Sequence, residues 1–132
     1  MSKSYNNTIA ISDSPEAIRK KVLVMVTDPA RVRREDPGHP EVCPVHAFYK
    51  TFGKALDSPV AEECRQAKRG CVECKKELAQ LLIDYLAPIH KRRSELEKDP
   101  EIVARILALG AEKARAVAAR SLQEAKKAVG LI

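Results

Sequence analysis

Residues 64–76 read CRQAKRGCVECKK, and together with one earlier cysteine, Cys43, they hold every cysteine of the chain. The spacing is Cys43-x20-Cys64-x6-Cys71-x2-Cys74. A Cys-x-x-Cys step aims two sulfurs at one point, and at the start of a helix it sets both on one face. Four thiolates on a single centre suit either tetrahedral zinc or an iron–sulfur cluster, because soft sulfur ligands select both. Spacing alone does not choose between them, and it leaves two disulfides or four separate buried thiols as the plainer alternatives. Against disulfides, Met1 is followed by polar SKSYNN with no apolar segment of a secretory signal, so a reducing, cytoplasmic setting is expected. The chain is therefore read as helices joined at a cysteine-bound corner.

Working outward, Arg65, Lys68, Arg69, Lys75 and Lys76 surround the cysteines against the single Glu73. This excess offsets the charge of a tetrathiolate centre, is expected to lower the thiol pKa values, and offers a basic surface to a phosphate backbone. The whole chain repeats the bias, with 24 basic against 18 acidic residues in 132 and a net charge of +6. Such a field favours a polyanion, most simply nucleic acid. Aromatics make up only 4% and there is no Trp, which is helix usage rather than sheet usage. No apolar run approaches the ~18 residues of a membrane span.

Helix punctuation is frequent. Ser14-Pro15-Glu16 supplies a capping oxygen, a proline where its missing N–H has no partner, and an acid at the positive end of the dipole. Ile18, Val22 and Met25, with Leu23 and Val26, form an apolar stripe that Asp28-Pro29 is expected to close. Residues 27–42, TDPARVRREDPGHPEV, sustain neither helix nor central strand. There Arg31, Arg33 and Arg34 either hold phosphates or pair internally with Asp28, Glu35 and Asp36, and His39 reads as a solvated turn residue. A short helix from Cys43-Pro44 carries Val45, Phe48, Tyr49 and Phe52, better read as core than as a base-stacking platform. Asp57-Ser58-Pro59 is expected to open a helix that carries Cys64 and stops at a left-handed Gly70. A long helix follows from Cys71, with Pro88 predicting a kink near Tyr85. Beyond it Arg92 and Arg93 either contact RNA phosphates or pair with Glu95 and Glu97. Asp99-Pro100-Glu101 opens a last helix running to Val129 and Gly130, with Val103, Ile106, Leu107, Val117 and Leu122 as its expected buried stripe. The predicted fold is all-α: a bundle of about five helices with the four-cysteine site at a helix corner. No Gly-rich nucleotide loop, His-x-x-His step or Ser/His/Asp set is present, so no complete active site is expected.

Several stretches, in order, resemble tryptophanyl-tRNA synthetases. MSKSYNNTI resembles the KMSKS loop of class I aminoacyl-tRNA synthetases without its leading Lys, TDPARVRREDPGHPEVCPV resembles the segment joining catalytic and helical parts, and YLAPIHKRR is close to a further family motif. The resemblance implies that residues 1–13 are a remnant of the ATP loop, with Ser2, Lys3 and Ser4 facing the triphosphate. Residues 14–132 would be the helical C-terminal domain that binds the anticodon of the tRNA for tryptophan. It further implies a four-iron, four-sulfur cluster on Cys43, Cys64, Cys71 and Cys74, as in a bacterial subset whose first gap is slightly longer, with zinc as the second choice. Arg65, Lys68, Arg69, Lys75, Lys76, Arg92 and Arg93 become candidates for tRNA contact. The full-length enzyme would join tryptophan to its tRNA with ATP, as a homodimer; this chain alone is expected to be inactive. The alternative is a stand-alone zinc-stabilised helical module that binds RNA or serves as a scaffold.

Overall fold

A computed structural model describes residues 8–132, and among them every regular element is helical. In chain order these are α1 (Pro15–Leu23), a 3-10 turn (Pro40–Val42), α2 (Pro44–Phe52), α3 (Lys54–Arg65), α4 (Cys71–Glu97) and α5 (Pro100–Ala128). No strand occurs among the described residues. The ATP-loop candidates Ser2, Lys3 and Ser4 lie outside the described residues.

Most helix starts follow the local chemistry. Ser14 Oγ accepts from the Ala17 amide at 3.2 Å, and Asp99 Oδ1 accepts from the Ile102 amide at 3.2 Å. Two boundaries differ from expectation. Helix α1 stops at Leu23, so Val24 and Val26 are exposed and only Ile18 and Val22 of its stripe are fully buried. Helix α3 begins at Lys54, directly after Gly53, and takes Pro59 into its interior. A proline there removes one helical bond; the neighbouring Val60 and Ala61 are buried in compensation.

The end of α3 also departs from expectation. It closes at Ala67, with φ 55°, rather than at Gly70. The Lys68 amide bonds Glu63 O at 2.9 Å and the Ala67 amide bonds Cys64 O at 3.1 Å, which is the Schellman pattern with alanine at the position glycine usually fills. Helix α5 ends the same way with the expected residue: Gly130 has φ 71°, and the Leu131 amide reaches Lys126 O at 2.9 Å.

The chain divides into two compact units, one up to His90 and one from Lys91. The first holds the core: Ile18 and Val22 of α1, Val45 and Tyr49 of α2, Val60 of α3, and Leu78, Ala79, Leu82 and Leu86 of α4. Burying each large side chain of this set is worth about 1.5–3 kcal/mol. The aromatics of α2 belong to it, as read: Tyr49 is fully buried, while Phe48 and Phe52 stack at 5.9 Å and Phe52 meets Tyr85 edge-on at 5.1 Å. Polar ties hold α1 against α4, with Lys75 Nζ donating to Leu23 O at 3.1 Å and Arg19 to Gln80 at 3.2 Å. Between α2 and α3, buried His46 Nε2 lies 2.8 Å from Asp57 Oδ1, an approach without hydrogen-bond alignment.

The second unit is built differently. Helix α5 has no buried residue, and its expected core stripe is exposed: Ile106, Leu107, Val117 and Leu122 are all more than half accessible. The apolar stripe is legible in the sequence, but periodicity reports that a face is apolar, not that anything in the same chain covers it.

Candidate metal centre

Three segments deliver the four cysteines. The 3-10 turn hands Cys43 to the start of α2, where its amide bonds Pro40 O at 3.2 Å and its carbonyl takes the Ala47 amide at 3.1 Å. Cys64 sits in the last turn of α3. Cys71 and Cys74 occupy the first turn of α4, so the Cys-x-x-Cys step does open a helix. All four are free thiols and line one small cavity, with Thr27, Arg31, Val45, Arg69 and Gly70 completing its wall. No three His, Cys, Asp or Glu among the described residues close to the distances that would hold a single metal ion.

The loop over the cavity is built around one buried carboxylate. Asp28, 5% exposed, accepts from the Ala30 amide at 2.9 Å and from the His39 amide and ring Nδ1 at 2.9 and 2.8 Å. Its bond to His39 outweighs burial and holds the carboxyl below the usual aspartate range. His39, expected in solvent, is thus exposed over most of its ring yet fixed at one nitrogen. With Asp28 closing the loop, Gly38 comes hard against α3. Its amide donates to Cys64 O at 3.0 Å, and a Cβ there would meet Cys64 Sγ closer than real Cβ atoms approach.

Arg31 crosses the same space. One terminal nitrogen lies 3.9 Å from Cys64 Sγ and 3.8 Å from Cys71 Sγ, the other donates to Arg34 O at 2.6 Å, and its buried Nε has no partner. The guanidinium beside Cys64 favours the anionic form of that thiol. Burial nevertheless wins at two positions: it pushes the Cys64 thiol up despite Arg31, and lifts Cys74 to about 12 despite Arg69 and the Tyr49 hydroxyl. The expectation that the local basic excess lowers these pKa values is therefore corrected for Cys64 and Cys74, because counting charges along the sequence omits desolvation. Tyr49 contributes from the core, donating its hydroxyl to Cys74 O at 2.9 Å.

The expected RNA contacts sort into two groups. Arg69 is largely buried and bridges Glu63 and Glu77, and those pairs hold its charge against the cost of burial. Arg65 pairs with Glu41, Arg92 with Glu95 at 3.3 Å, Arg93 with Glu97 at 2.7 Å, and Lys75 is spent on the α1 carbonyl. Lys68 and Lys76 make no side-chain hydrogen bond or ion pair among the described residues. The loop arginines come out differently from an internal ion-pair network. Asp28 is committed as above, Asp36 accepts from the Arg33 amide at 2.7 Å, and neither takes an arginine side chain.

The chain has known relatives. The family described as class I tRNA synthetases for tryptophan and tyrosine matches residues 1–87, and the chain belongs to it. Within that family the similarity is to the tryptophan enzymes. The chain is 43% identical over 133 residues to the tryptophan–tRNA ligase of Aquifex aeolicus, covering 99% of this chain and 34% of that protein. It is 41% identical over 134 residues to that of Thermotoga maritima, covering 100% and 41%. Among solved structures, tryptophanyl-tRNA synthetase from Campylobacter jejuni complexed with ADP and tryptophan superposes with a TM-score of 0.84 at 30% identity, over 98% of this chain and 40% of that one. The chain thus spans well under half the length of these relatives.

Proposed function

We propose that this chain is the C-terminal, tRNA-binding portion of a tryptophan–tRNA ligase, recognising the anticodon region of the tRNA for tryptophan. In the full-length enzyme, ATP-dependent joining of tryptophan to tRNA belongs to the rest of the protein, and the homodimer and cytoplasmic setting go with that whole. Among the described residues no helix is long and apolar enough to cross a membrane.

The observation that carries the reading is the convergence of thiols from three separate segments on one cavity beneath an arginine-rich loop. Cys43, Cys64, Cys71 and Cys74 would hold an inorganic centre, for which we keep the four-iron, four-sulfur cluster first and zinc second. A cluster interposes its own iron and sulfide between the ligands, so it asks for thiolates farther apart than a single tetrahedral ion does. Such a centre would supply a rigid cross-link among the 43, 64 and 71–74 corners. Around it, Arg31 faces two of the sulfurs, Gly38 leaves room for Cys64, and Tyr49 fixes the Cys74 carbonyl. The alternative of a scaffold without RNA is separated by titrating the chain, purified without oxygen, with the tRNA for tryptophan and with another elongator tRNA. Preferential binding of the former is expected, and equal or absent binding contradicts the reading.

A further inference from the structure

Beside the cysteine cavity lies an open groove of about 630 Å³ between the 27–34 loop and the first turns of α4. Its cationic wall consists of Arg31, Arg33, Arg34 and Lys76. Arg31 is already engaged, bonded to Arg34 O and turned toward the sulfurs, and it fixes the backbone from which Arg34 springs. Arg34 lies over the start of α4, with Nε 3.8 Å from where a Cβ of Gly70 would stand.

The carboxylates near this wall are mostly committed elsewhere. Asp28 holds His39, Asp36 caps the Arg33 amide, and Glu77, on the groove itself, is paired with Arg69. Glu73 is the remaining acid on the lining. Arg33, Arg34 and Lys76 thus face a common space with no carboxylate bonded to any of them among the described residues. Next to them Val32 and Val72 are 85% and 60% exposed, an apolar strip beside the charges. Paired N–H donors of arginine match phosphate oxygens, and apolar side chains accept the face of a sugar or base, so the combination suits a nucleotide better than a bare ion.

We propose that this groove binds the phosphodiester backbone of RNA, with Arg33 and Arg34 gripping phosphate oxygens and Lys76 adding a point charge. The proposal deepens the tRNA-binding reading and rests on it for the identity of the RNA. It moves the contact from Arg69 and Lys75, which the fold uses internally, to loop arginines whose neighbouring aspartates serve the backbone.

The test uses the chain purified with its native centre, a labelled tRNA for tryptophan, and a short single-stranded oligoribonucleotide of unrelated sequence, each titrated across a salt series. Arg33→Gln with Arg34→Gln should weaken both ligands about tenfold at low salt and flatten the log–log salt slope by about 1.4, the share of two phosphate contacts. Lys76→Gln, a milder second variant, should flatten it by about 0.7. Lys50→Gln with Lys54→Gln, the same loss of charge on exposed parts of α2 and α3, should leave the slope unchanged. Unchanged slopes in both groove variants overturn the groove while leaving tRNA recognition intact. Flattened oligoribonucleotide slopes without preference for the tRNA of tryptophan keep the groove and defeat the recognition reading. No binding of either ligand by the unaltered chain defeats both.

Discussion

The unit up to His90 and the unit from Lys91 are made of similar helices and are held by different forces. In the first, nine buried apolar residues from four helices meet, and loops are closed by buried Asp28 and by contacts such as Gly38 on Cys64. In the second, α5 is a 29-residue helix with no buried side chain, kept helical by its Asp99 cap, its Gly130 stop and its own propensity. Equal apolar periodicity therefore carries different weight in the two places, because stability comes from covering a stripe and not from having one.

The largest expected effect separates the two units directly. Leu78→Ala, at a fully buried site of α4, should cost about 2–5 kcal/mol in urea unfolding. Leu107→Ala, at a site 67% exposed on α5, should stay within about 0.5 kcal/mol. A comparable loss at both sites would mean that the α5 stripe is covered in solution.

Next in size is Gly38→Ala. The added methyl lands on Cys64 Sγ and on the Arg31 stem, so overpacking should cost about 1–3 kcal/mol and displace that thiol. Far-ultraviolet circular dichroism should keep its helical signal while metal content falls. Unchanged metal content would show that Cys64 tolerates the shift.

A pH series sharpens the contrast further. The carboxyl of Asp28 is held below its ordinary value, so its contribution is fully present above the unfolded aspartate pKa of about 3.9 and disappears as the pH falls through the lower folded value. Acid unfolding of the chain should thus begin below about pH 4 at this site, and Asp28→Asn should flatten that limb. An unaltered acid limb in the variant would remove Asp28 as the loop's keystone.

The smallest effect concerns two matching helix ends. Ala67→Gly should stabilise α3 by about 0.5–1 kcal/mol, since the left-handed backbone at φ 55° penalises a Cβ. Gly130→Ala, at φ 71° on α5, should lose a similar amount. A destabilised Ala67→Gly variant would contradict the assigned end.

Those two ends also mark how far the sequence could be read. Ser14, Asp99 and Gly130 act where local chemistry puts them, because a cap is a contact between residues three to five apart. Ala67 and Pro59 occupy positions their own preferences resist, and the helix is held through Pro59 by the burial of Val60 against core residues of the other helices, which local preference does not report. The cysteine spacing pointed to one convergence point; all four cysteines line one cavity, while among the described residues no three potential ligands stand close enough to hold a single ion. The fate of the basic residues was hidden, since whether Asp28 and Asp36 take arginine side chains or backbone amides depends on how the loop closes. Thiol acidity was hidden for a related reason: charge is visible in a sequence, whereas desolvation at Cys74 belongs to the packed corner.

The central claim, that four distant thiols hold one inorganic centre, is tested most directly by purifying the chain without oxygen and measuring iron, acid-labile sulfide and zinc beside its absorption spectrum. The account predicts a brown protein with about four iron and four sulfide per chain, lost together in Cys74→Ser. A colourless, well-folded chain with no bound metal would contradict it, and one zinc per chain would replace the cluster with the single-ion alternative.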